Sequence, residues 1–93
     1  MALIYVIEDD ANIREIEEYA LKSSGFEVLA FERAQPFFDK LEIILPDLII
    51  LDVMLPDENG IDIVKQLRNS SITKSIPVIM VTPISSDISV LSS

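Results

Sequence analysis

The sequence predicts an α/β domain built on a parallel sheet with helices on both faces, and three observations lead there. Its apolar segments are short unbroken runs, not strict alternations, as in strands covered on both sides. Between them lie stretches with apolar residues at helical spacing. The two kinds alternate along the chain in the order β-α-β-α-β-α-β, as a parallel sheet requires, because parallel neighbours need a crossover. A chain of 93 residues fits one domain. Its hydrophobic fraction of 49% is well above that of a disordered chain.

The first strand is Leu3 to Ile7, a β-branched run that stops at Glu8, Asp9 and Asp10. A helix follows, with Ile13, Ile16, Ala20 and Leu21 on one face and Gly25 as its stop. The side chain of Asp10 or Asn12 can cap its start. Phe26 to Phe31 forms the second strand. In the next segment Pro36 stands near a helix start, and Phe37, Leu41 and Ile44 recur at helical spacing. Phe37 and Phe38 belong to the core or its margin. Asp47 to Asp52 is the third strand, and Pro56, Asp57, Asn59 and Gly60 turn the chain. The third helix carries Ile61, Val64 and Leu67 as its core stripe. Ile76 to Thr82 is the fourth strand, with Pro77 at its beginning, where a missing N–H is tolerated. The last segment, Pro83 to Ser93, is Ser-rich and weakly periodic, a short helix or a frayed tail.

Composition narrows the function. The net charge is −9, from 16 acids against 7 bases, which argues against nucleic acid or an anionic membrane as a direct partner. Cations and basic protein surfaces remain compatible. There is no Cys, so thiolate and disulfide chemistry are excluded, as suits a reducing cytosol. Met1 to Ile7 is too short for a secretory h-region and meets Glu8 at once. No apolar run approaches the roughly 20 residues that span a bilayer. The expectation is a soluble, cytoplasmic protein.

The acids fall where such a fold does chemistry. In a parallel sheet the C-terminal ends of all strands share one edge, and ligands bind outside it. Strand one ends in Glu8, Asp9 and Asp10, strand three in Asp52 and strand four in Thr82. If strands one and three are neighbours, carboxylates and a hydroxyl gather on one rim. Like charges at about 4 Å repel by roughly 4 kcal/mol at an effective dielectric of 20. Such a cluster either raises a pKa or holds a cation. The donors are hard oxygens with no His, which suits Mg²⁺. A carboxylate beside Mg²⁺ can act as a nucleophile toward phosphorus.

The stretches IYVIEDD, LIILDVMLPDENGID and PVIMVT resemble a bacterial two-component response-regulator receiver domain. They occur in the right order, and the spacing of Asp9, Asp52 and Thr82 fits. The resemblance covers residues 1 to about 82. It implies a flavodoxin-like doubly wound sheet, with four strands present of an expected five and strand order 2-1-3-4-5. It further implies phosphorelay signalling without enzymatic turnover. Asp52 would be the phosphoacceptor and Thr82 the switch hydroxyl. Asp9 would ligate Mg²⁺ directly, Glu8 would help through water, and the Met54 carbonyl would be a further ligand. The phosphoryl donor would be a phosphohistidine of a sensor histidine kinase.

The sequence departs from the family in two ways. Family members continue with a fourth helix, a fifth strand and a fifth helix, so residues 1–93 would be a receiver lacking its last strand and helix. The family's Lys at the end of strand five has no counterpart; Lys74 precedes strand four and belongs to the opposite edge. In addition, Pro83 follows Thr82, and proline has no N–H to offer a phosphate. A degenerate or fragmentary receiver acting only as a protein-interaction module is therefore the alternative, with a homodimer as one partner arrangement. An aspartate-nucleophile phosphatase of the haloacid-dehalogenase type ranks last, because the position two residues after Asp52 is Met54. With only Gly25 and Gly60 as glycines, a glycine-rich phosphate loop is excluded. Asp10 reads as a helix-start charge, and Glu15, Glu17 and Glu18 as a solvated helix face.

Overall fold

A computed structural model describes residues 1–52, 55 and 59–81. Four strands, β1 (Leu3–Ile7), β2 (Glu27–Phe31), β3 (Leu48–Asp52) and β4 (Val78–Val81), alternate with three helices, α1 (Ala11–Ser23), α2 (Ala34–Leu41) and α3 (Gly60–Arg68). The strands form one parallel sheet in the order β2-β1-β3-β4. β1 is therefore central and flanked by β2 and β3, the arrangement needed to bring its terminal acids beside Asp52. Pro83 to Ser93 lies outside the described residues.

Most of the core lies on one side of the sheet. Tyr5, Ile7, Ile49 and Leu51 project there and meet Phe37 and Leu41 of α2 and Ile63 and Leu67 of α3. Edge-on ring contacts link Tyr5, Phe31, Phe37 and Phe38, with centroids 5.1 to 6.1 Å apart. The tyrosine hydroxyl donates to the Ile44 carbonyl, so a buried polar atom is satisfied inside an apolar cluster. The other side is thinner: Ile4, Val6 and Val28 are its buried residues, with Leu21 of α1 packed against them.

Three expectations change. The third helix buries Gly60, Ile63 and Leu67, while Ile61 is exposed. The helix starts at Gly60, capped by the Asn59 side chain on the Ile61 amide; the buried stripe lies one position before the expected one at its first two members, shares Leu67 with it, and keeps Val64 packed at the core's margin. The second helix stops at Leu41, before Ile44; the Ile43 and Ile44 amides close a last turn on the Lys40 carbonyl, and Pro46 keeps Leu45 from helical geometry. Ile43, Ile44 and Leu45 consequently form an exposed connection. Finally, the α1 face of Ile13, Ile16, Ala20 and Leu21 is covered only at Leu21, which packs against the sheet; Ile13, Ile16 and Ala20, with Tyr19 beside them, are exposed, and the helix buries no residue.

The ends of α1 are firmly specified. The Asp10 carboxylate accepts from the amides of Asn12 and Ile13 at 2.9 and 3.0 Å, so Asp10 is the N-cap rather than a residue turned toward the acidic rim. At the other end the Ser24 and Gly25 amides close onto carbonyls of the last turn. Gly25 has φ of 97°, a conformation that favours glycine at a helix stop.

Candidate functional site

Register places the site. Ile7 pairs with Leu51 across β1 and β3, so the next residues, Glu8 and Asp52, leave the sheet side by side. Asp9 follows on the same turn. Glu8, Asp9 and Asp52 each present a carboxylate oxygen, and these oxygens all lie within 4.8 Å of one another. Two strands that never meet in sequence thus deliver three carboxylates to one spot.

The environment of these acids is uneven. Glu8 is 5% exposed, Asp9 and Asp52 are half-buried, and Asp10 is exposed. Burial pushes the Glu8 carboxyl up to about 7. The Asp10 amide, which donates to Glu8 at 3.2 Å, works against that rise. The hydrogen bond and negative charge of Asp52 and the hydrogen bond with Asp9 reinforce it. Near neutral pH the cluster accommodates its repulsion by holding a proton on Glu8 or a cation between the acids. An all-oxygen donor set with a shared vertex fits a hard divalent ion such as Mg²⁺.

Glu17 departs from the solvated helix face expected of it. It is half-buried, and its carboxyl is raised above the usual range, by burial first and by the charge of Asp52 second. It is the second carboxyl in this region that favours its proton. Glu18 is held on the surface of α1 by Lys22 at 2.8 Å. Asp52 pairs with Val81 on β4; Thr82, the next residue, lies outside the described residues, as do Met54 and Pro83. Lys74 is exposed in the connection before β4, where its carbonyl accepts from Arg68.

One residue of the site had not been singled out from sequence. Arg14 sends a guanidinium nitrogen, Nη1, to the carbonyls of Glu8 and Asp9 at 2.9 and 3.4 Å. The signal for it was a local oddity. A cation near a helix N-terminus opposes the macrodipole and so calls for a partner outside the helix.

The family model described as the response regulator receiver domain matches residues 4–92. The phosphate regulon transcriptional regulatory protein PhoB of Escherichia coli is 42% identical over 79 residues, 85% of this chain and 34% of that protein. The alkaline phosphatase synthesis transcriptional regulatory protein PhoP of Bacillus subtilis is 38% identical over 79 residues, 85% of this chain and 32% of that protein. This chain thus spans about a third of the curated relatives it matches. Among solved structures, the chemotaxis response regulator CheY4 of Vibrio cholerae superimposes with a TM-score of 0.81 at 30% identity, covering 86% of this chain and 67% of that one.

Proposed function

Since the chain belongs to the response regulator receiver domain family of two-component signalling, we propose that it accepts a phosphoryl group on Asp52 from a sensor histidine kinase. The observation that carries this reading is the convergence of Glu8, Asp9 and Asp52 carboxylate oxygens within 4.8 Å at the C-terminal rim of the sheet. Glu8, Asp9, Asp52 and the Met54 carbonyl are the residues that would hold Mg²⁺, which when bound neutralises charge on the transferred group. An Asp52 carboxylate oxygen forms the new O–P bond as the P–N bond of a phosphohistidine breaks, and the departing imidazole nitrogen takes up a proton. Thr82 is the hydroxyl assigned to the phosphoryl oxygens. The domain relays a group and does not turn over a substrate, so it is read as a signalling domain and not an enzyme.

Residues 1–93 are read as a receiver (phosphoacceptor) domain, the portion of its relatives that this chain matches. The expected partners are the kinase and, through the exposed stripe of α1, a second copy of the chain. At a net charge of −9 direct contact with nucleic acid is not expected. No helix among the described residues is long and apolar enough to cross a membrane, and the cytoplasm is the proposed compartment. The transcriptional role in the relatives' names belongs to longer proteins, of which the match to this chain covers about a third.

Pro83, which offers no N–H beside Thr82, supports a second reading: a receiver that binds partners without being phosphorylated. Intact mass after incubation with a small phosphodonor and Mg²⁺ separates the two. One added phosphoryl group, lost in Asp52→Asn, is expected. An unmodified wild-type chain that still binds the kinase would favour the interaction module, and modification that survives Asp52→Asn would place the nucleophile elsewhere.

A further inference from the structure

We infer that Arg14 is the positioning residue of the acidic rim, setting its affinity for a divalent cation by fixing the backbone that carries Glu8 and Asp9. This rests on the reading of the rim as a cation site.

All three carbonyls of the acidic turn end on this one residue. The Glu8 and Asp9 carbonyls accept from its Nη1, and the Asp10 carbonyl accepts from its backbone amide at 2.9 Å. The other side of the turn is held as well, by the Glu8 amide donating to the Phe31 carbonyl at 3.0 Å. With the peptide planes fixed, the Cα–Cβ directions of Glu8 and Asp9 are fixed too. Carboxylates that repel one another would otherwise relax by splaying apart. Guanidinium suits the task because it is always charged and presents several donors in a rigid plane. Its nitrogen takes carbonyl oxygens on the backbone side of the turn, which leaves the carboxylates for the ion.

Charge and geometry make opposite forecasts. A cation beside a metal site repels the metal, so by Coulomb's law alone removing Arg14 should tighten binding. If Arg14 acts by holding the turn, removing it should weaken binding, by the 10- to 100-fold typical of groups that orient metal ligands. The measurement uses the full 93-residue chain, with Mn²⁺ as the probe, free ion counted by electron paramagnetic resonance and Mg²⁺ as competitor. Arg14→Gln is expected to bind at least about ten-fold more weakly. Arg14→Lys keeps the charge but not the fork and is expected to remain several-fold weaker than wild type. Thermal unfolding in chelator reports the fold separately, and if the Gln variant does not fold, the Lys variant decides alone.

Either folded variant binding Mn²⁺ as tightly as wild type, or more tightly, would overturn the inference and leave the cation site standing. So would a lowered melting temperature with unchanged affinity, which would mark a purely structural bond. A wild-type chain that binds neither ion would instead remove the cation site itself, and the inference with it.

Discussion

Glu8→Gln is the substitution that most directly tests how the acidic rim is held together. In the metal-free protein the Glu8 carboxyl sits at about 7 instead of 4.5, so the folded state binds a proton that the unfolded state has released across that interval. Stability must then fall as pH rises. The contribution is complete below the unfolded value, declines through the interval and is gone above about 7. At 1.36 kcal/mol for each pH unit, a shift of this size costs about 3 kcal/mol by the top of the window. For a domain of this length that corresponds to a fall in Tm of roughly 10–20 °C. Gln keeps the shape and cannot ionise. Its amide can donate toward Asp52 where the protonated carboxyl would, and its oxygen can still accept from the Asp10 amide.

The assay is urea unfolding of wild type and Glu8→Gln in chelator, at intervals from pH 4.5 to pH 8. Wild type should lose stability across the window. The variant should be nearly flat, with a small residual slope of the same sign from Glu17, whose carboxyl is also raised, and it should be the more stable protein at pH 8. Mg²⁺ should stabilise wild type increasingly as pH rises, because the ion takes the place of the proton. Wild-type stability that is constant or rising over this range, or equal slopes in the two proteins, would refute the reasoning: the Glu8 carboxyl would then not be the group that carries the strain.

Three further outcomes follow from the structure. Mg²⁺ at ten times its Kd should add about 1.4 kcal/mol to wild type and less to Asp9→Asn at the same concentration; a melting temperature indifferent to the ion in both would remove the cluster as a cation site. Phe37, fully buried among Tyr5, Phe31 and Phe38, should cost about 3–5 kcal/mol when truncated to Ala, measured by denaturant unfolding at constant m. The α1 stripe, with Ile16 67% and Tyr19 75% exposed, should make the chain associate with rising concentration in sedimentation, and Ile16→Glu should suppress it. A compact wild-type monomer at every concentration would show that the stripe is tolerated in water.

The sheet was legible because buried parallel strands leave a simple mark. Leu3–Ile7 and Leu48–Asp52 are continuous apolar runs that end on acids, and no other element of the fold yields that pattern. The grouping of Glu8, Asp9 and Asp52 was legible only on the condition that β1 and β3 are neighbours, an order that the resemblance implied and the sheet has. Helix phase was less legible. Ile61, Val64 and Leu67 share helical spacing with Gly60, Ile63 and Leu67, and only the packing of α3 on the sheet chooses between them. Ile44 looked helical for the same reason, although α2 ends at Leu41. Glu17 could not be distinguished from Glu15 and Glu18 by composition; its burial depends on how α1 lies over the sheet. Arg14 left only the faint mark of a cation near a helix N-terminus, because its partners are backbone carbonyls, which a string of side chains does not show.

The two faces of the sheet explain why the acidic turn matters to the fold as well as to the site. α2 and α3 are fastened by burial, through Phe37, Leu41, Ile63 and Leu67. α1 buries no residue and rests on the thin side of the sheet, with Leu21 packed against Ile4, Val6 and Val28. Its other attachments are polar and concentrated at its start: the Asp10 cap and the bonds from Arg14 to Glu8 and Asp9. The 2.9 Å bond from the charged Arg14 donor to the Glu8 carbonyl is of a kind that contributes about 1.5–3 kcal/mol, comparable with the burial of one apolar side chain. The order of α1 and the order of the acidic turn are therefore coupled, and coupling between two equilibria is reciprocal. A cation that settled the carboxylates would steady α1, and a contact that steadied α1 would raise the affinity of the rim for the cation by the same free energy.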